Sequence, residues 1–212
     1  MDIIKSIRIL GKEITMGELN VFSLDQFINK YNLTSFVETG TGRGTGLKHA
    51  MKYNFKKLYS IEVMTELYTD IKKEINDSRV TLLNTTSLEG LTKIIPDLEG
   101  NTFFWLDAHF PGADCHIGDA SYHDEQDKDL KLPLEKEVEL IFKLRPNNKD
   151  VFIMDDLNLY EDGNYELGKM REDLVYLREK YNMTGLDFIK NSGCNHKLTR
   201  NFRHQGFVIL TP

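Results

Sequence analysis

Short apolar segments alternate with amphipathic segments along most of this 212-residue chain, and this alternation limits the possible folds more than any other feature. Continuous apolar runs are typical of parallel strands that are covered on both faces. The segments between them carry apolar residues three and four positions apart, which is the spacing of a helix. We therefore predict an α/β fold: a doubly wound, Rossmann-like, mostly parallel seven-stranded sheet with helices on both faces. The segments predicted to be its strands are SFVET, KLYSIEV, RVTLLN, TFFWLDA and DVFIMDD.

The two ends of the chain depart from this alternation. Residues 1–34 are predicted to form a hairpin around Gly11 and Lys12, and then a helix that Ser23 and Gln26 cap. Residues 167–181 have helical spacing, and strands near 184–190 and 205–210 are predicted to add an antiparallel pair to the sheet.

The segment 110–132 has no periodicity, and we predict that it is an active-site lid. No repeat or proline-rich linker divides the chain. We therefore expect one domain over residues 1–212.

Composition excludes several classes of protein. The chain has 27 basic and 33 acidic residues, a net charge of −6, which argues against a basic nucleic-acid-binding face and against a polybasic membrane anchor. Two cysteines are too few for a disulfide framework. No apolar run approaches the roughly 20 residues of a membrane span, and the first residues lack the apolar core of a signal peptide. We expect a cytoplasmic protein that binds neither nucleic acid nor membrane, and the sequence leaves a homo-oligomer open.

The sharpest local signal is FVETGTGRGTG, a glycine-rich turn after a predicted strand. Its pattern is acid-x-G-x-G-x-G, beginning at Glu38. The dinucleotide pattern G-x-G-x-x-G would need a glycine at position 45 or 47, where the chain has Thr45 and Leu47. Glu62 ends the next strand, 22 residues after Gly40. A carboxylate there can accept hydrogen bonds from both ribose hydroxyls of a nucleoside cofactor.

This turn resembles the first motif of the class I S-adenosylmethionine-dependent methyltransferases. The resemblance implies S-adenosyl-L-methionine as cofactor, with Thr86 and Ser87 beside the adenine, although Thr86 with Glu89 also fits a helix cap. The cofactor-binding residues expected on this basis are Glu38, Thr39, Gly40, Thr41, Gly42, Gly44, Thr45, Glu62, Thr86, Ser87 and Asp107.

Acidic residues also end the next two predicted strands. TFFWLDAHF carries Asp107 and His109, and DVFIMDDL carries Asp155 and Asp156. Three converging carboxylates repel one another unless a cation lies between them, and Mg²⁺ prefers oxygen ligands.

This second pattern resembles the metal-dependent O-methyltransferases of the catechol and macrolide-sugar types, and FWLDAH is similar to bacterial enzymes that methylate saccharides. The resemblance implies Asp107, Asp155 and Asp156 as ligands of a divalent cation, Mg²⁺. An acid after a strand can also cap a helix or form a turn. Asp107 and His109 are the predicted catalytic residues, with His109 accepting a proton, although His109 can equally be a structural hydrogen bonder.

The sequence thus predicts a Mg²⁺-assisted O-methyltransferase that acts on a hydroxyl of a small acceptor, such as a sugar or a glycosylated metabolite. Two alternatives stay open: an NAD(P)-dependent oxidoreductase, which the interrupted glycine pattern disfavours, and a non-catalytic nucleoside-binding protein. A zinc site is disfavoured because the cysteines and histidines match no zinc-binding spacing.

Overall fold

The computed structural model describes residues 6–9, 12–15, 19–109, 128–168, 178–183 and 185–212. Strands β1 (Ser6–Ile9) and β2 (Lys12–Thr15) pair as the predicted antiparallel hairpin. The main sheet contains seven further strands: β3 (Leu33–Thr39), β4 (Lys57–Glu62), β5 (Val80–Asn84), β6 (Asn101–Leu106), β7 (Val151–Met154), β8 (Lys197–Asn201) and β9 (Phe207–Thr211).

The main sheet confirms the predicted fold class. Its strand order is β5-β4-β3-β6-β7-β9-β8. Strands β3 to β7 run parallel, whereas β9 is antiparallel to both β7 and β8. The chain moves outward from β3 through β4 to β5 and then crosses to β6 on the other side of β3. In doubly wound sheets ligands bind at such a reversal, in the crevice beyond the carboxyl ends of the strands.

Helices cover both faces of this sheet, as its apolar strands require. They are α1 (Asp25–Tyr31), α2 (Thr45–Ala50), α3 (Thr65–Glu74), α4 (Ser87–Ile94), α5 (Lys128–Lys131), α6 (Leu134–Leu144) and α7 (Asp187–Asn191). Consecutive strand residues belong to opposite layers: Phe36 packs with residues of α1 and α2, and Val37 packs with residues of α4 and α6. No helix within the described residues has the length and apolarity to cross a membrane.

The structure corrects two of the local predictions. The strand predicted near 184–190 is wrong: Asp187–Asn191 is helix α7, and the partner of β9 is β8, at Lys197–Asn201. The Ser23 cap is also wrong, because Leu24 takes the N-cap position of α1 and no side chain caps that helix. Most of the predicted lid (110–127) and of the helix predicted over 167–181 (169–177) lies outside the described residues.

Candidate functional site

The glycine turn lies where β3 leaves the sheet, at the predicted edge. Gly40, Gly42 and Gly44 have φ values of +78°, +53° and +75°, a region that glycine enters at little cost. A Cβ on Gly40 would lie 2.6 Å from the main-chain oxygen of Asp107, so no other residue fits without moving the backbone. A Cβ on Gly42 would meet nothing within 4 Å. The turn therefore packs closely against the end of β6 and faces open space at Gly42.

Glu62 binds the same turn from β4. Its Oε2 accepts the N–H of Gly42 and its Oε1 accepts the N–H of Met64, both at 2.8 Å. Burial raises the pKa of this carboxyl, while the backbone hydrogen bonds act in the opposite direction. The N–H of Val63 also bonds this carboxylate, which still has a lone pair that can accept a further hydrogen bond. Glu62 is thus placed beside the open side of the turn, as a ribose-binding residue requires.

Glu38 lies beneath the turn, on the side of the sheet opposite to Thr39. Its Oε2 accepts a 2.5 Å hydrogen bond from Ser60 Oγ, which lies 2.6 Å from Thr41 Oγ1. Burial is the main cause that raises the pKa of Glu38 to about 8, and the charge of Glu62 adds to it. A Cβ on Gly46 would lie 2.2 Å from Glu38 Oε1, so this glycine allows the carboxyl to approach α2. Glu38 therefore supports the turn from below. Ser60 is a supporting residue that the sequence analysis missed.

The threonines and Ser87 of the predicted site have different surroundings. Thr39 is fully buried, and its Oγ1 donates a 3.3 Å hydrogen bond to Glu137 on α6. Thr45 is exposed at the first position of α2. Thr86 caps α4 by accepting the N–H of Glu89 at 3.4 Å, as the capping pattern predicts. Ser87 also hydrogen-bonds Glu137, a second residue that the sequence analysis missed.

The four polar residues after β6 and β7 lie together at the same sheet edge. Nδ1 of His109 lies 3.0 Å from the main-chain oxygen of Asp107, and its Nε2 lies 3.1 Å from Asp156 Oδ2. Asp155 Oδ1 accepts the N–H of Asp156 at 2.7 Å. A small cleft opens here, lined by Leu106, Asp107, Ala108, His109, Leu134, Asp155, Asp156, Leu159 and Tyr160.

The predicted metal-ligand roles of Asp107, Asp155 and Asp156 stay predictions. The donor type suits Mg²⁺, because three carboxylates offer hard oxygen ligands. Among the described residues, however, no group of three or more ligating side chains lies close enough to hold one ion. His109 lies between Asp107 and Asp156 at the position where the prediction expects a cation. The metal-ligand roles of Asp107, Asp155 and Asp156 are therefore not confirmed.

One residue pair bears on the oxidoreductase alternative. Tyr68 and Lys72 on α3 have the Tyr-x-x-x-Lys spacing found in some nicotinamide-dependent enzymes, and Lys72 Nζ donates a 2.9 Å hydrogen bond to Tyr68 Oη. The pair lies on the solvent-exposed surface of α3 and not among the residues that line the cleft. Its position gives no support to a role in catalysis at the cleft.

Solved structures similar to this one are known, whereas the sequence itself gives no match. No protein-family profile matches the sequence, and no curated protein matches it either. A putative caffeoyl-CoA O-methyltransferase from Staphylococcus aureus has a similar structure, with a TM-score of 0.52 at 13% identity over 88% of this chain and 80% of that one. Spermidine synthase from Thermotoga maritima gives a TM-score of 0.50 at 11% identity over 85% of this chain and 54% of that one.

These similarities establish the fold, a Rossmann-like α/β fold that this chain shares with an O-methyltransferase and with a synthase. Identities of 13% and 11% carry no conclusion about chemistry, and one of the two neighbours is named as a synthase. What the protein does must be argued from the residues at the strand edge.

Proposed function

We propose that this protein transfers a methyl group from S-adenosylmethionine to a hydroxyl group of a small acceptor, such as a sugar or a glycosylated metabolite. The observation that carries the proposal is the meeting of two groups of residues at one edge. Gly40 packs against the main-chain oxygen of Asp107, and this same oxygen lies against His109. A turn suited to a nucleoside and a cleft suited to proton transfer are therefore adjacent.

The turn and Glu62 have what the cofactor requires. When bound, S-adenosylmethionine supplies an electrophilic methyl group on a sulfonium. Gly42 leaves space at the turn, and the Glu62 carboxylate, which accepts three backbone N–H groups, keeps a lone pair for a ribose hydroxyl. Gly44 is the N-cap of α2, so the turn leads directly into a helix N-terminus, where a carboxylate is stabilised.

His109 is the residue that takes the proton of the acceptor hydroxyl in our proposal. A methyl group forms a bond to oxygen as that oxygen loses its proton, and a histidine suits this transfer at neutral pH. The Nδ1 side of the ring faces the main-chain oxygen of Asp107, and the Nε2 side faces Asp156. After the transfer the proton would lie between Nε2 and Asp156 Oδ2, which are 3.1 Å apart.

The walls of the cleft support a neutral acceptor with many hydroxyls. The lining combines the apolar residues Leu106, Leu159 and Tyr160 with the acidic residues Asp107 and Asp156. A sugar ring has apolar faces and hydrogen-bonding edges that match such a cleft. No lysine or arginine is among the described lining residues, so the lining offers nothing to attract an anionic acceptor.

Magnesium assistance is a separate part of the proposal. Its support is the oxygen-donor character of Asp107, Asp155 and Asp156 and the resemblance stated above. The chemistry proposed for His109 does not depend on it.

The first test is calorimetric titration of the full chain with S-adenosylhomocysteine and, separately, with NADH. We expect binding of S-adenosylhomocysteine in the micromolar range and no binding of NADH. Absence of S-adenosylhomocysteine binding would contradict the proposal, and tight NADH binding would favour the oxidoreductase alternative. Binding without turnover on any acceptor would favour the non-catalytic alternative.

The second test is turnover on a panel of sugars and glycosides, followed by mass spectrometry for the gain of one methyl group. We expect Asp155→Asn to lower turnover while S-adenosylhomocysteine still binds, and Asp97→Asn, at an exposed aspartate, to change neither. The same assay with and without EDTA tests magnesium assistance, and unchanged turnover in EDTA would remove the metal from the proposal.

A further inference from the structure

Glu137 is an acidic residue at an apolar position of α6. It follows Leu134 by three residues and precedes Ile141 by four, so it lies on the face of the helix that packs into the core. Its side chain is completely buried. Burying a carboxyl group is costly unless its hydrogen-bonding capacity is satisfied. Its presence here therefore needs a reason beyond packing.

The contacts of Glu137 satisfy only half of its carboxyl group. Oε2 accepts a 3.3 Å hydrogen bond from Thr39 Oγ1, and the Ser87 side chain gives the carboxyl a second hydrogen bond. Within the described part of the chain, Oε1 has no hydrogen-bond partner. Burial raises the pKa of Glu137 to about 7, and its described surroundings include no charged group that offsets this.

The two hydroxyls that Glu137 holds belong to the cofactor side of the edge. Thr39 is the last residue of β3, directly before Gly40, and its main-chain oxygen accepts the N–H of Asp107 at 3.1 Å. Ser87 is the first residue of α4. One carboxyl group thus joins α6 to the end of β3 and to the start of α4, beneath the glycine turn.

We propose that Glu137 is a positioning residue for the cofactor: it fixes the hydroxyls of Thr39 and Ser87 and so holds the glycine turn and the start of α4 at the separation that a bound nucleoside requires. This inference rests on the proposed function, since the nucleoside is that of S-adenosylmethionine. A residue with a packing role alone would be better as leucine, because a buried polar group without full partners destabilises the fold.

The proton of Glu137 is part of the proposal. The groups that face its carboxyl from β3 and α4 are the neutral hydroxyls of Thr39 and Ser87. From the turn after β7, Tyr160 is near enough to feel its charge, together with the charges of Glu135 and Asp156. Loss of the proton therefore leaves a buried carboxylate with no described cation opposite it, and this carboxylate accepts hydrogen bonds from the two hydroxyls more strongly than the neutral acid does.

The test measures S-adenosylhomocysteine binding by calorimetry at about pH 6 and about pH 8.5, on either side of the titration of Glu137. The variants are Glu137→Leu, Glu137→Gln and the matched control Glu139→Gln, which alters an exposed residue of the same helix that pairs with Lys136 at 3.3 Å. We expect Glu137→Leu to keep the melting temperature of the natural chain and to bind roughly tenfold more weakly, the loss of about one to two net hydrogen bonds.

Glu137→Gln should restore affinity to within about threefold, because an amide still bonds both hydroxyls, and Glu139→Gln should match the natural chain. Relative to the natural chain, Glu137→Gln should lose more affinity at about pH 8.5 than at about pH 6, because the amide cannot ionise and the other titrating groups are the same in both proteins.

A folded Glu137→Leu variant that binds normally would overturn the inference. If that variant does not fold, the glutamine variant decides, and a pH dependence identical to that of the natural chain would also overturn it. Failure of the natural chain to bind would overturn the proposed function and this inference together. Normal binding by the natural chain and by both Glu137 variants would overturn the inference alone.

Discussion

The turn side and the cleft side of the strand edge both concentrate acidic residues, but they hold them differently. On the turn side, Glu38 and Glu62 are held by backbone N–H groups and a serine hydroxyl. On the cleft side, Asp107 and Asp156 flank an imidazole. Fixed N–H donors suit a carboxylate that binds and does not change, whereas a titratable histidine suits a step in which a proton moves.

Because of this difference, substitutions on the two sides should affect different measured quantities. Substitutions on the turn side should change cofactor affinity, and substitutions on the cleft side should change the rate at saturating cofactor. Gly40 belongs to both sides, because it contacts the residue whose oxygen holds His109.

Gly40→Ala should produce the largest effect. Because Gly40 belongs to both sides, its substitution should impair cofactor binding and turnover together. Its Cβ would meet the main chain of Asp107 at 2.6 Å, where no side-chain adjustment can relieve the contact. We expect a loss of stability of about 3 kcal/mol, from overpacking together with the positive φ. S-adenosylhomocysteine binding and turnover should both be lost, as measured by urea unfolding, calorimetry and the methyl-transfer assay.

Gly42→Ala is the matched comparison for stability. Gly42, like Gly40, has a positive φ, which is +53°, but a Cβ at this position would meet nothing within 4 Å. The substitution should cost only about 1 kcal/mol of stability, the cost of the backbone conformation alone. Equal destabilisation by the two alanines would show that contact with Asp107 is unimportant.

His109→Asn should produce the next largest effect. It should lower kcat and leave the cofactor affinity nearly unchanged. Removal of a general base typically lowers kcat by about 10²–10⁴-fold. The affinity for S-adenosylhomocysteine should stay within about threefold, since His109 lies outside the turn, at the end of β6. A rate at saturating cofactor that is unchanged would exclude His109 as the proton acceptor and leave it a structural hydrogen bonder.

Parts of the fold could be predicted because buried strands are apolar throughout. Strand β7, for example, has every residue buried. Strand β8 reads KLTRN and has only exposed and half-buried residues at the edge of the sheet, so its sequence carries no apolar run. The segment around Ile189 does carry apolar residues, but Leu186 and Ile189 are buried three positions apart, as a helix requires. Apolar content alone does not distinguish these two cases.

The sequence predicts which residues lie at the edge of the sheet, but it does not predict which residues they hydrogen-bond. Strand ends place Glu62 and Asp107 at one edge because the sheet is parallel. The alternation of side chains also implies that Glu38 and Thr39 face opposite layers. Their partners Ser60 and Glu137 come from distant parts of the chain, and only the packed structure brings them together. The one signal in the sequence for Glu137 is an acid at an apolar helix position.

Glu62→Gln tests whether a substitution on the turn side lowers cofactor affinity without a comparable fall in kcat. The amide keeps one acceptor oxygen but loses the charge and the accepting capacity of the other oxygen. We expect S-adenosylhomocysteine to bind about tenfold more weakly, as for loss of one charge-assisted hydrogen bond. Turnover at saturating cofactor should change much less. The control is Glu66→Gln, at an exposed position of α3, and a large fall in kcat for Glu62→Gln at saturating cofactor would contradict the division between the two sides.

Ser60→Ala should give the smallest effect, and its pH dependence tests how Glu38 supports the turn. The hydrogen bond from Ser60 favours the ionised form of Glu38, whose pKa burial raises to about 8. Below that pH the serine donates to a neutral acid, and its loss should cost about 1 kcal/mol of unfolding free energy. Above it, the serine donates to a buried carboxylate, and the cost should rise to about 2 kcal/mol. Urea unfolding at about pH 6.5 and pH 9.5 measures both values, and an equal loss at the two pH values would mean that Glu38 keeps one charge state throughout.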